Sequence, residues 1–198
     1  MLVLLLISLI GAGAAAFHFW SQKDAFIYHA VDSKLSEIFP SCFVSFENVQ
    51  VVDASQFIIT QLQLRSKKNE AILAQIPRVT INVDGKLLSE SRRVVVKSLE
   101  VESPQLFALR DENGSWNWDD FQLAESKQDY SPSLVVKNGQ VQVGLKSLAN
   151  GQAHTISTRG LEFAFSPEAM NRYKIEGEAT VESLGTISLD GLYDSNSG

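Results

Sequence analysis

The chain has 198 residues, 17 Lys+Arg against 23 Asp+Glu, and a formal net charge of -6. That length supplies one domain, or one domain with an appendage, and an ample core. The acidic balance argues against a nucleic-acid surface, which needs clustered positive charge. The lone cysteine, Cys42, excludes an intrachain disulfide framework and any multi-cysteine metal site.

No Asp, Glu, Lys or Arg occurs before Ser21, and the first twenty residues, MLVLLLISLIGAGAAAFHFW, are apolar apart from Ser8 and His18. As a helix at about 1.5 Å per residue, this run reaches roughly 30 Å, the thickness of a bilayer core. A retained transmembrane anchor over 1–20 is the reading taken. The alternative is a signal peptide with Leu2 to Ile10 as its apolar region and the Gly11 to Ala16 run as its cleavage region. Apolar character resumes at Phe17 to Trp20, and no basic residue precedes the run, which argues against cleavage. Both readings export the rest of the chain. No cysteine follows the run in the manner of a lipobox, so a lipid anchor is unsupported.

Within 21–40, Ile27, Val31, Leu35 and Ile38 recur at helical spacing with Asp32, Lys34 and Glu37 between them, and Pro40 closes the pattern. An amphipathic helix from Asp24 to Phe39 is expected. Its polar side lacks the basic residues of a membrane-surface helix, which favours a lid on the end of a sheet.

From 41 to 198 the pattern is mainly β, alternating as half-buried antiparallel strands do. Ile58, Thr60, Leu62 and Leu64 alternate with Gln61, Gln63 and Arg65; Val79, Ile81 and Val83 with Thr80 and Asn82; Val141, Val143 and Leu145 with Gln142. Leu161, Phe163 and Phe165 follow, then Tyr173, Ile175, Ala179 and Val181. Asp84-Gly85, Asn113-Gly114, Asn138-Gly139, Asn150-Gly151 and Asp190-Gly191 read as turns. About nine strands follow from this punctuation, with short helical turns near Lys86 to Arg93 and Ser166 to Asn171. The polar stretch Ala124 to Ser133 reads as a linker between two halves of one sheet. Such a sheet hides its apolar face in a sandwich, in a barrel, or in a trough covered by something else, such as acyl chains.

No catalytic constellation emerges. His18, His29 and His154 form no metal-ligand pair, Cys42 has no evident base beside it, and Asp119 and Asp120 fit cap or solvent contacts at a hairpin end. No phosphate-binding glycine loop or nucleophile elbow is present. The expectation is a protein that is not an enzyme, with no catalytic residues, metal or cofactor. Asn113-Gly114-Ser115 matches a glycosylation sequon, though one placed on a tight turn.

The segment from Ser103 to Phe121 is the most unusual: a strand after Pro104, an Asn113-Gly114 turn, then Trp116 and Trp118 on one face of a returning strand. The two tryptophans either plug the end of a core or guard the mouth of a groove.

The order of these features resembles the AsmA family of bacterial envelope proteins, relatives of TamB among repeating β-groove proteins. The resemblance rests on the hydrophobic anchor, the alternating pair Val44 to Leu64, and the strand Arg78 to Val83 with Asp84-Gly-Lys-Leu-Leu-Ser-Glu-Ser91 after it. It continues through Val94 to Pro104 and the motif Asp111, Gly114, Trp116, Asn117 and Trp118, and covers about residues 1 to 121. The missing basic residue before the anchor and the short length depart from the family, and the short length suggests an N-terminal fragment of a longer groove or a truncated open reading frame.

The resemblance implies a single-span inner-membrane protein with its body in the periplasm, a curled β-groove that carries phospholipid between membranes or serves outer-membrane biogenesis, with other envelope proteins as further partners. The expected apolar lane is Leu62, Leu64, Val79, Ile81, Val83, Leu99, Val101, Val141, Val143, Leu161, Phe163 and Phe165. The alternative is an anchored β-sandwich acting as an envelope assembly or protein-interaction module. Sequential pairing in one sheet favours the groove, and Greek-key crossovers favour the sandwich.

Overall fold

The computed structural model describes residues 24–91, 95–111, 113–122, 132–146, 153–169, 172–182 and 184–194. The expected membrane segment 1–20, the Asn150-Gly151 pair and most of the 124–133 linker lie outside these residues. No helix among the described residues is long and apolar enough to cross a membrane.

Helix α1 (Asp24–Ile38) forms where the apolar spacing predicts it. It ends because the pyrrolidine of Pro40 forbids its continuation, and the Phe39 N–H makes the last helical bond, to the Leu35 carbonyl at 2.9 Å. Val31, Leu35, Ile38 and Phe39 are buried in one cluster with the sheet residues, so this helix is a lid. The Ile27 side chain lies outside the described ones.

Among the described residues ten strands make a single sheet rather than two facing ones, one more strand than the punctuation suggests. They are β1 (Cys42–Ser45), β2 (Asn48–Val51), β3 (Gln56–Ser66), β4 (Ile72–Val83) and β5 (Val96–Glu102). After these come β6 (Gln105–Arg110), β7 (Ser133–Lys146), β8 (Ala153–Ala169), β9 (Arg172–Val181) and β10 (Gly185–Asp194). A short helix α2 (Gly85–Ser91) follows β4, and its first N–H groups at Lys86 and Leu87 both donate to the Asp84 carboxylate at 3.0 Å.

Neighbours in the sheet are antiparallel except at β7, which lies parallel to β5 and β6. A parallel pair cannot be joined by a hairpin, so β6 and β7 are not one. Asn138-Gly139 and Asp190-Gly191, expected as turns, lie inside β7 and β10. The turn expected at Ser166 is strand as far as Ala169.

Registers show that several strands are halves of one line. Against β4, β5 places Glu102 opposite Arg78 and β6 places Gln105 opposite Gln75, a continuous count interrupted only by Ser103-Pro104. Against β3, Ser45 of β1 faces Gln63 and Asn48 of β2 faces Thr60, again a continuous count.

At the same level in six successive lines, side-chain alternation slips by one residue. The slip falls at Glu47 between β1 and β2, Gln61 in β3, Pro77 in β4, Ser103 between β5 and β6, Asn138 in β7 and Gly160 in β8. Gln61, Ser103 and Asn138 have φ of 52°, 51° and 52°, and Gly160 of 60°, a left-handed conformation; β3 and β4 keep one register across the slip because both make it, whereas β7 and β8 shift register on either side of Gly139. Strand β9 carries no such residue, and its register with β8 shifts between Arg159 and Glu162 as a result.

This transverse crease corrects one sequence expectation. Ile58 and Thr60 do not share a face with Leu62 and Leu64. Phe57 and Ile59 join the core cluster with Leu62 and Leu64, and Ile58, though buried, stands outside it.

Candidate functional site

The face beneath α1 is apolar along every line, but its cover is uneven. Of the lane residues, Leu62, Leu64, Val79, Ile81, Val83, Leu99 and Val101 are all buried. They are buried in one cluster with Val31, Leu35, Ile38 and Phe39, and Trp118 and Phe121, whose ring centroids lie 4.8 Å apart, pack against it, with Phe121 6.2 Å from Phe39. These seven line a closed core rather than an open groove.

Beyond β5 the same face opens. Phe163 and Phe165 pack partly against the core, Val141 and Leu161 are half-buried, and Val143 is exposed. Register carries the lane outward along two rows. Val101, Val136, Phe163, Gly177 and Leu189 face one another in turn, beside Leu99, Leu134, Phe165, Ile175 and Gly191. Leu189 at its outer end is 56% exposed, Ile187 52%, and Ile156, opposite Val143, 58%.

The floor of the lane is shaped by Gly177: a methyl group there would meet both the Phe163 ring and the Glu162 carbonyl oxygen at 3.2 Å, so glycine lets β8 and its Phe163 ring approach β9 closely. Phe165 stacks on Tyr173 with centroids 4.3 Å apart, and Tyr193 lies 6.3 Å beyond. Burial, with Tyr193 adding to it, holds the Tyr173 hydroxyl above its ordinary pKa, so it stays neutral. The charges of β9 sit on the opposite face, where Lys174 pairs with Glu176 at 2.6 Å. The lane from β7 to β10 is thus an uncharged, partly uncovered apolar surface.

The Asp111 to Phe121 motif is a structural clasp. The Asp111 carboxylate accepts the N–H groups of Asn113 and Ser115, both at 2.9 Å, and Gly114 turns at a φ of 85°. No returning strand forms: the ladder is one bridge, Arg110 with Trp116. Trp116 and Trp118 consequently part company. Trp116 lies 5.9 Å from the Arg110 guanidinium, whereas Trp118 packs on the core and donates its Nε1–H to the Phe107 carbonyl at 2.6 Å. Asn117, between them, is 93% removed from solvent and bonded to β6 by its carboxamide, a role its sequence position did not announce.

Asp119 accepts the Trp116 N–H at 2.7 Å, and Asp120 pairs with Lys68 at 2.6 Å, the capping and solvent contacts expected of them. Cys42 is buried, which raises its thiol pKa and leaves it protonated. Among the described residues, no three potential metal ligands converge. Ile187, Leu189 and Ile156 were not singled out by sequence, although Ile187, Leu189 and Tyr193 alternate as plainly as any strand in the chain. No model of a known protein family matches the chain, and no curated protein matches it.

Proposed function

We propose that the chain is an AsmA-like, membrane-anchored β-groove protein that handles phospholipid by its acyl chains. The observation that carries this reading is the uncharged lane running from the sealed core out to Val143, Ile156, Ile187 and Leu189. An acyl chain needs a continuous apolar surface without charge and without a catalytic centre, and open area of this kind on a soluble sheet calls for an occupant. On this reading the crease curls the sheet, because inserted residues bend strands and raise their twist, and the lane is the inside of the curl.

The anchor would hold the chain in the inner membrane with its body in the periplasm, phospholipid as cargo and outer-membrane biogenesis as the process served. A sandwich acting as an assembly module requires a second sheet facing the first, and the single-sheet pairing order speaks for the groove.

Native mass spectrometry of the full chain, released from a mild detergent, tests this reading. Added phospholipid mass in the wild type, lost in Ile156→Asp/Leu189→Asp while the circular dichroism stays unchanged, is the expected result. A lipid-free wild type, or equal lipid in both proteins, overturns it.

A further inference from the structure

On the face turned away from α1, the crease holds a cavity of about 330 Å³, within the ~300–1,000 Å³ range of small-ligand pockets. It is walled mainly by Ser45, Gln61, Gln63, Gln75, Pro77 and Gln105. Register brings these residues together. Ser45 pairs with Gln63, Gln63 with Gln75, Gln75 with Gln105 and Gln105 with Gln140, so a row of carboxamides crosses β3, β4, β6 and β7 at the strand spacing of about 4.8 Å. Gln61 and Pro77 face each other where β3 and β4 slip, and close the row on the crease side.

Gln63, Gln75 and Gln105 are half-buried, yet none of their carboxamides has a hydrogen-bond partner among the described residues. On the same face beyond the crease, Gln56, Asn82 and Ser98 are also cross-strand neighbours, and they chain together. Gln56 Nε2 donates to Asn82 Oδ1 and Asn82 Nδ2 to Ser98 Oγ, each at 3.0 Å. A polar row that serves only the sheet satisfies itself in that way, and the glutamine row does not. Charge narrows what could satisfy it. No lining residue is charged, and across the crease Arg78 and Glu102 neutralise each other at 3.3 Å, so an anion finds no uncompensated cation there.

We propose that the cavity binds an uncharged carbohydrate, a short run of hexose units lying along the glutamine row. Each carboxamide both donates and accepts, which matches a hydroxyl that does the same. An extended hexose chain repeats at close to the strand spacing, so successive rings meet successive glutamines. An extended peptide turns an amide to one side only every second residue, about 6.6 Å, and falls out of step with the row. Pro77 offers a ring of methylenes to the apolar face of a sugar. Phe43, 46% exposed and two residues before Ser45 on the same side of β1, offers an aromatic ring. The site lies on the opposite face from the lane and does not depend on what the lane carries.

Isothermal titration of the full chain, held in a detergent without a sugar headgroup, tests the proposal with cellotriose, maltotriose, chitotriose and, beside them, tetraglycine. At least one of the trisaccharides is expected to bind. Gln63→Val and Gln75→Val keep a good strand former and remove one carboxamide each, and either should weaken that binding about tenfold with unchanged circular dichroism. Tetraglycine should give no heat of binding. Silence from all three trisaccharides, binding of tetraglycine in their place, or undiminished affinity in both folded variants would overturn the proposal.

Discussion

Asn117 pairs with Leu109 as a neighbouring strand would. Its backbone N–H donates to the Leu109 carbonyl at 2.9 Å, and its Oδ1 accepts the Leu109 N–H at 2.8 Å. The Nδ2 donates to the Phe107 carbonyl at 2.8 Å and reaches the Ile72 carbonyl at 3.5 Å. A single carboxamide therefore continues the ladder beyond Ala74, the last residue of β4 to pair with β6.

Replacing it with an apolar side chain deprives the Leu109 N–H of its acceptor, while the Phe107 carbonyl keeps the Trp118 indole N–H. Asn117→Leu is expected to cost about 1–3 kcal/mol in urea unfolding. A loss under about 0.5 kcal/mol would show that water takes over the Leu109 N–H.

The two tryptophans should separate in the same measurement. Trp118→Ala removes a packed ring and a hydrogen bond, and is expected to cost about 3 kcal/mol. Trp116→Ala removes a half-exposed ring facing Arg110, and is expected to cost roughly 0.5–1 kcal/mol. Equal losses would contradict the division of roles drawn from their surroundings.

At the crease, Gln61 holds a φ of 52° without a glycine's freedom. Gln61→Gly should be neutral or stabilising by up to about 1 kcal/mol, and Gln61→Val should destabilise by about 1–2 kcal/mol because a β-branched residue resists that conformation. Chemical denaturation of the pair reads the difference directly, and the reverse order would remove the strain argument.

The cap of α2 predicts a pH response. Hydrogen bonds from the Leu87 N–H and from Lys97 hold the Asp84 carboxyl below its ordinary value of 3.8. A carboxylate with a lowered folded-state pKa contributes stability that is complete above its unfolded value and is lost as pH falls through the folded one. The Leu87 amide resonance should therefore titrate with a midpoint below the ordinary value of 3.8, and Asp84→Asn should abolish that transition. A midpoint at or above the ordinary value would mean that the cap does not hold in solution.

Much of the fold is legible in the residues. Val31, Leu35 and Ile38 mark the buried side of α1, and Val79, Ile81 and Val83 mark that of β4, because burial on one side leaves a period in the hydropathy. The crease leaves no such trace. Gln61 and Ser103 are ordinary polar residues at positive φ, and each lies level with a neighbouring line that makes the same slip. Asn138-Gly139 carries a genuine positive-φ signal, yet its use is in mid-strand, where only the register of β7 against β8 reveals it. For the site, Phe163 and Phe165 could be named from alternation. That Leu99 is sealed while Leu189 is open follows from where α1 lies, a tertiary fact without a local signature.

Because the six extra residues line up, they act together as a score line does in card. A sheet of this breadth resists bending about most axes, but along this line each strand already departs from regular pleating, so flexing concentrates there. Hinging of the sheet becomes a one-dimensional motion about Gln61, Ser103 and Asn138. Deleting Gln61, Pro77, Ser103 or Asn138, rather than mutating it, would leave a straight line between two bent ones and set its neighbours' registers against each other.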